Sequence, residues 1–235
     1  MPHEVRHQFI EELKDLEEQA LGGMDMVTSQ LDRALEAITY QDVELASMVV
    51  SDDDRIDGRY LEVHQGVLSL LARQAPVAGD LRIVAALLHI IRCIERMGDQ
   101  CVNVAKLVPL SGYEQPKDQA ILEALERMGQ LVRSQVSQAK EAFKSRHVSL
   151  AQDLVRQDAE VNRLNREIFK RAVDIGDDPE VREWAMFMIL VARCLERIGD
   201  NTVDIAEQVV FVVTGLFREF SEEVNSEGAP ASPAV

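Results

Sequence analysis

The octapeptide Arg92-Cys93-Ile94-Glu95-Arg96-Met97-Gly98-Asp99 recurs as Arg193-Cys194-Leu195-Glu196-Arg197-Ile198-Gly199-Asp200. The two copies lie 101 positions apart and differ only where one apolar residue replaces another. Each copy carries a glutamate and an aspartate four residues apart, which places both carboxylates on one face of a helix. The repeat predicts two versions of one unit, and the repeated carboxylates suggest a shared task such as holding a metal ion.

The composition favours a helical, acidic protein. A chain of 235 residues can form one large domain or two of roughly 100 residues, and the repeat favours two, each with a modest core. Aromatic residues make up 5% of the chain and there are seven prolines, which suits helices. The net charge of −16 argues against a nucleic acid as the main partner and allows cation binding.

The ends of the chain and its cysteines predict a soluble, cytoplasmic protein. The N-terminus lacks the basic and then apolar pattern of a signal peptide. The apolar run over residues 209–216 is too short to span a bilayer, so no membrane insertion is expected. Cys93, Cys101 and Cys194 follow no disulfide pattern and are interpreted as small buried residues in a reducing compartment.

Breaker residues and apolar periodicity predict an all-α fold of six long helices, arranged as two tandem, pseudo-symmetric three-helix up-down bundles. The first bundle occupies residues 1–110, the second residues 116–218, and residues 219–235 form a disordered tail. Gly22-Gly23 in the first helix is a candidate kink. The predicted helices cover residues 3–39, 42–73, 78–108, 117–145, 149–175 and 179–217.

The third predicted helix carries apolar residues at alternating spacings of four and three, the pattern of a helix packed along one seam. Its seam residues are Ile83, Leu87, Ile90, Ile94, Met97, Cys101 and Val104. The same offset of 101 gives a second seam, in the sixth helix, at Trp184, Met188, Val191, Leu195, Ile198, Thr202 and Ile205. Each half is therefore expected to pack its other two helices on this one.

Polar side chains run along the edges of these seams and should face one another in the first half. In an antiparallel hairpin, residues equally distant from the turn lie at one level. Asp57 and Glu95 are equally distant from Pro76, the predicted turn, and so are Asp53 and Asp99. Carboxylates from two helices are thus predicted to converge at one place.

The second half repeats this arrangement around Pro179. Asn162 and Glu196 are equally distant from that proline, and so are Asp158 and Asp200. One turn further along the two stripes lie Asn103 in the first half and Asp204 in the second.

Facing carboxylates repel one another, and a multivalent cation turns this repulsion into coordination. Oxygen ligands suit Mg²⁺, Mn²⁺, Ca²⁺ and ferric iron, and Zn²⁺ also accepts carboxylates. Gly98 and Gly199 either admit a neighbouring helix or clear space beside the ions. The competing interpretation is that the stripes are solvated edges neutralised by arginines, which are Arg92, Arg96, Arg193 and Arg197. His89 is interpreted as a surface or core histidine rather than a ligand.

Two motifs resemble the PhoU family of phosphate-transport regulators. One is the duplicated [IL]-E-R-[IM]-G-D with its following Asn or Asp, and the other is Arg-Gln-x-Pro-x-x-x-Asp-Leu-Arg over residues 73–82. The resemblance covers residues 8–217. It implies two three-helix bundles whose E/D-x-x-x-D motifs hold metal ions, in some members as multinuclear iron or zinc clusters, with Mg²⁺ or Mn²⁺ as further candidates.

The resemblance also implies a regulatory role. Members are not enzymes, and they repress the phosphate-starvation response when phosphate is plentiful. Their partners are the ATPase of the phosphate ABC importer and a membrane sensor histidine kinase, and homodimers are common. An amide at Asn162 replaces a carboxylate, so the second site is expected to bind metal more weakly. The metal ligands that the resemblance implies here are Asp53, Asp57, Glu95, Asp99, Asn103, Asp158, Asn162, Glu196, Asp200 and Asp204.

Two other functions compete with a metal-binding, non-catalytic adaptor. One is a carboxylate-bridged metal enzyme, and the other is a structural scaffold whose acidic stripes dock a basic partner. An oxidase of the first kind normally recruits histidine. No histidine lies at the stripes, which favours the adaptor.

Overall fold

The computed structural model describes residues 3–112 and 118–217, with side chains from residue 6 onward. Within these ranges it contains α-helices, one short 3₁₀ turn (Val108–Leu110) and no strand, so the predicted all-α class is confirmed. Pro116 in the predicted linker and the predicted tail at residues 219–235 lie outside the described residues. The helices are α1 (His3–Tyr40), α2 (Val43–Ser51), α3 (Asp54–Arg73), α4 (Gly79–Leu107), α5 (Gln119–Ser145), α6 (Val148–Val173) and α7 (Pro179–Thr214).

The second predicted helix, residues 42–73, is wrong as a single helix, because it divides into α2 and α3 at Asp52 and Asp53. Three successive aspartates have low helix propensity, and Asp52 forms an ion pair of 2.6 Å with Arg33 of α1. Asp53 now stands at the start of α3, where its side chain makes no capping hydrogen bond. Its carboxylate is therefore available to the neighbouring helix.

The glycine pair in α1 does not interrupt the helix, which continues from His3 to Tyr40. A Cβ atom at Gly23 would lie 3.2 Å from Cγ2 of Ile94, which is tighter than ordinary van der Waals contact. The absence of a side chain at residue 23 therefore allows α1 to approach α4 closely.

Capping residues set the ends of the later helices. The Asp118 side chain accepts a hydrogen bond of 3.0 Å from the amide of Ile121 at the start of α5, and Asp178 accepts one of 3.0 Å from Glu180 at the start of α7. Helix α7 ends at Thr214, three residues before the predicted end, and is capped by Gly215, whose φ of 76° suits glycine.

The predicted seams form the core. In α7 all seven seam residues are buried, and in α4 only Ile83 is partly exposed. Thr202 is the one polar seam residue, and its hydroxyl donates a hydrogen bond of 2.6 Å to the carbonyl of Gly199. Helices α1 and α3 pack on α4, and α5 and α6 pack on α7, as the two predicted bundles require. The buried apolar residues of both halves form one continuous cluster.

The halves meet mainly through α4 and α7, with a second contact between α1 and α5. The two central helices run antiparallel. Arg82 near the start of α4 lies against Gly215 at the end of α7, while Arg96 and Arg197 from their middles line one cavity. The equivalent halves are thus related by an approximate two-fold axis near the middle of both helices.

Candidate metal centres

Four predicted ligands of the first half interact electrostatically where α3 begins beside the middle of α4. This group, the first carboxylate centre, consists of Asp53, Asp57, Glu95 and Asp99. Burial raises the pKa of Asp53, and the charges of Asp57 and Asp99 raise it further. Burial also raises the pKa of Glu95, with Arg92 opposing and Asp99 and Asp57 adding to the rise. The antiparallel pairing predicted around Pro76 thus brings these four side chains close enough to repel one another.

The second carboxylate centre is the equivalent group in the other half, where Asp158 and Asn162 of α6 lie beside Asp200 of α7. Burial, followed by the charge of Asp200, raises the pKa of Asp158 to about 6. Asn162 Nδ2 donates a hydrogen bond of 2.7 Å to Asp158 Oδ2. Asn162 occupies the position equivalent to Asp57 of the first half. Asp57 repels Asp53, whereas Asn162 donates a hydrogen bond to Asp158, so the second centre has one carboxylate fewer at this position.

The first centre contains a buried carboxylate oxygen, Oε2 of Glu95, that has no hydrogen-bond partner among the described residues. In the second centre the Asp158 carboxylate is partly buried, and hydrogen bonds from Asn162 and Gln135 lower its pKa against the effect of burial. A buried acceptor without a partner costs about 1–3 kcal/mol, and native structures keep few of them without a reason. Such an oxygen, in a carboxylate whose pKa is already raised, fits the donor set of a hard metal ion.

The repeated glycines make room for the facing carboxylates. A Cβ atom at Gly199 would lie 2.9 Å from Oδ1 of Asp158, and one at Gly98 would lie 3.3 Å from Oδ1 of Asp53. Both glycines are buried in the middle of long helices, where glycine costs about 1 kcal/mol relative to alanine. At Gly199 the nearest neighbour is that aspartate, whereas at Gly98 Ile56 lies slightly closer, with Cδ1 at 3.1 Å, so both glycines admit side chains of the neighbouring helix that include an aspartate.

Two buried glutamines complete the centres and were missed by the sequence analysis. Gln30 Nε2 donates to the carbonyl of Val49 at 3.3 Å and to Oδ1 of Asp53 at 3.4 Å. Gln135, 105 positions later in α5, is fully buried, and a hydrogen bond from its side-chain amide lowers the pKa of Asp158. Its Oε1 lies 3.3 Å from the Cβ position of Gly199. The sequence contained a signal for this pair of glutamines, because the offset of 105 that relates Gln30 to Gln135 also relates Asp53 to Asp158.

The three remaining predicted ligands differ in exposure and in partners. Asn103 is exposed, one turn beyond Asp99. Glu196 forms an ion pair with Arg193, as Glu95 does with Arg92 at 3.3 Å, so two of the four motif arginines do neutralise the stripes.

Asp204 raises the pKa of Asp200, after burial and against Arg193, but its carboxylate also reaches across to α4. Among the residues that the structure describes, only one group of three His, Cys, Asp or Glu has its donor atoms within 4.8 Å of one another: His89, Cys93 and Asp204. The carboxylate oxygens of the two predicted centres therefore do not come within 4.8 Å of one another in groups of three.

The comparisons with known proteins agree on one family. The family model described as PhoU domain matches residues 23–108 and 125–209. A relative from Clostridium acetobutylicum, named phosphate-specific transport system accessory protein PhoU homolog, is 30% identical over 214 residues, covering 90% of this chain and 96% of its own. A relative of the same name from Caulobacter vibrioides is 32% identical over 196 residues, covering 83% and 84%.

Solved structures give the same result for the fold. The phosphate transport system regulatory protein PhoU from Streptococcus pneumoniae superposes with a TM-score of 0.83 at 27% identity, covering 90% of this chain and all of the other. PhoU from Pseudomonas aeruginosa has a TM-score of 0.81 at 28% identity, covering 88% of this chain and all of the other.

Proposed function

The chain belongs to the PhoU family, and from this premise we propose that it is a metal-binding, non-catalytic regulator of phosphate uptake. It acts as a negative regulator, repressing the phosphate-starvation response when phosphate is plentiful. Support for the phosphate part comes from the relatives, whose names describe accessory proteins of a phosphate-specific transport system.

The observation that carries metal binding is the convergence of partly buried carboxylates in each half, which raise one another's pKa, together with the partnerless Oε2 of Glu95. Asp53, Asp57, Glu95 and Asp99 would hold one ion or cluster in the first centre. Oxygen ligands of this kind favour Fe³⁺, Zn²⁺, Mn²⁺ or Mg²⁺. In the second centre the proposed ligands are Asp158, Asn162, Glu196, Asp200 and Asp204.

The bound ions stabilise and shape the bundles rather than perform chemistry. None of the proposed ligands of the carboxylate centres is a histidine, whereas carboxylate-bridged oxidases of helical bundles combine glutamate with histidine. The alternative of a purely structural scaffold leaves the raised pKa of Asp158 and the partnerless oxygen of Glu95 without a purpose, because a scaffold gains nothing from buried repulsion.

We propose that the protein acts in the cytoplasm, as a homodimer, on the ATPase of the phosphate ABC importer and on a sensor histidine kinase. The partners are membrane complexes, and among the described residues no helix is long and apolar enough to cross a bilayer itself. The protein would therefore dock on parts of its partners outside the bilayer. The net charge of −16 suits docking surfaces that are basic.

Removal of the gene from the host is expected to raise the expression of phosphate-uptake genes in phosphate-rich medium, since a negative regulator has been lost. Transcript levels of those genes measure the effect. Re-expression of the wild-type chain should restore repression. Unchanged expression after removal would contradict the regulatory function.

The same assay separates metal binding from regulation. Asp99→Ala combined with Asp200→Ala removes one carboxylate from each centre and should restore repression incompletely. A control with the same change in charge, Asp15→Ala combined with Asp174→Ala, alters two exposed aspartates outside the centres. Full repression by both double variants would show that the carboxylate centres do not serve regulation.

A further inference from the structure

A third cluster lies outside the two carboxylate centres, between the helices that join the halves. A ring nitrogen of His89, Sγ of Cys93 and a carboxylate oxygen of Asp204 lie within 4.8 Å of one another. His89 and Cys93 are four residues apart and share one face of α4, and Asp204 approaches from α7. The three donors therefore come from both halves of the molecule.

The donor types select a class of metal ion. Nitrogen, thiolate sulfur and carboxylate oxygen together suit Zn²⁺, whereas Mg²⁺ and Ca²⁺ are held by oxygen alone. Donor atoms around a tetrahedral Zn²⁺ lie about 3.5 Å apart, given bond lengths of about 2.0–2.3 Å. Small side-chain rotations would close the present cluster around an ion, with a fourth position left to water or another ligand.

The cluster has a route to solvent. The Cys93 side chain is buried, while His89 is exposed and provides a path from solvent. A cation that enters by this path displaces the thiol proton, because the thiolate is the form of cysteine that binds metal.

The approximate two-fold axis provides an internal comparison. The offset of 101 relates His89 to Leu190, Cys93 to Cys194 and Asp204 to Asn103. Both sides keep a buried cysteine, so a small residue suffices for packing there. Only one side adds an imidazole and a carboxylate, which packing does not require.

We propose that His89, Cys93 and Asp204 form a Zn²⁺ site that joins α4 to α7 and so fixes one half of the protein against the other. The site differs from the carboxylate centres in its nitrogen and sulfur ligands, His89 and Cys93, and it shares Asp204 with the second centre. It shares an electrostatic link with the second centre, because Asp204 also acts on Asp200. The proposal does not depend on the regulatory function.

The test uses full-length, metal-free, reduced protein titrated with Co²⁺ as a spectroscopic substitute for Zn²⁺. Coordination by a thiolate produces a near-ultraviolet charge-transfer band that carboxylate ligands do not give. We expect this band to appear with one equivalent of Co²⁺, to disappear in Cys93→Ser and to persist in the matched control Cys194→Ser. Added Zn²⁺ should displace Co²⁺ and remove the band.

Two further variants address the other ligands. His89→Leu and Asp204→Asn copy the residues found on the opposite side of the two-fold axis, so both should fold, which circular dichroism checks. Each should weaken Co²⁺ binding about tenfold or more, because one of three protein ligands is lost. Asp158→Asn, which alters only a carboxylate centre, should keep the band. Absence of the band in the wild type, or its survival in Cys93→Ser, would overturn the proposal.

Discussion

Replacement of Asp158 by asparagine is expected to stabilise the metal-free protein and to abolish most of the stabilisation that metal gives to the second centre. The aspartate is held beside Asp200, and burial, followed by the charge of Asp200, raises its pKa to about 6 although hydrogen bonds from Asn162 and Gln135 oppose the rise. Keeping it ionised at neutral pH costs on the order of 1 kcal/mol once solvent screening is allowed for. We therefore expect Tm of the metal-free variant to rise by about 2–4 °C at pH 7.5.

The rise in Tm caused by Asp158→Asn in the metal-free protein should be larger at higher pH. Between the ordinary aspartate pKa of 3.8 and the folded-state pKa of about 6, the folded protein binds the proton more tightly than the unfolded chain. The wild type therefore loses stability from this group as pH rises through that window. The advantage of Asp158→Asn should be full above pH 6 and should vanish towards pH 4.

A neighbouring aspartate of α6 supplies a control of opposite sign. Hydrogen bonds from Gln157 and Gln138 lower the pKa of Asp153, so its ionised form is favoured in the folded protein. Asp153→Asn should leave Tm unchanged or lower it, without altering the response to metal. Thermal unfolding with and without added metal measures both variants. If Asp158→Asn lowered Tm of the metal-free protein, the charge of Asp158 would serve only to stabilise the fold.

Leu195→Ala is expected to destabilise the whole chain by about 2–5 kcal/mol, because the side chain is fully buried in a close-packed core and its removal leaves a cavity. This is a large part of the 5–15 kcal/mol that holds a typical protein together. Tm should fall by about 5–15 °C. Because the apolar cluster is continuous across both halves, we expect a single transition at the lower temperature.

A residue of the same type in the same helix serves as the control. Leu190 is 49% exposed, so Leu190→Ala should change Tm by only a degree or two. Calorimetry distinguishes one transition from two. If Leu195→Ala lowered one transition and left a second in place, the halves would unfold as independent domains, and the core between α4 and α7 would not couple them.

The sequence predicted the features that depend on one helix or one hairpin. The seam of α7 follows from its apolar spacing, and its burial is confirmed. The meeting of Asp158 with Asp200 follows from their equal distance to Pro179 in an antiparallel pair. Local rules of this kind suffice because the turn and the helical period fix which side chains lie at one level.

Features that depend on a third helix or on the other half were not predicted. Gln30 and Gln135 reach the centres from α1 and α5, and no turn relates those helices to the ligands. The division at Asp52 depends on an ion pair with Arg33, 19 positions earlier. His89 was interpreted as a surface or core residue, because its neighbour Asp204 belongs to the opposite bundle.

The central claim is that facing carboxylates beside Gly98 and Gly199 hold metal ions. Its most direct test is a crystal structure of protein purified without chelator, with each metal identified by anomalous scattering at its own absorption edge. We predict anomalous peaks next to Asp53 and Asp99 in the first centre, and a weaker peak next to Asp158 and Asp200, where Asn162 replaces a carboxylate. Anomalous maps without a peak at either centre would contradict the account.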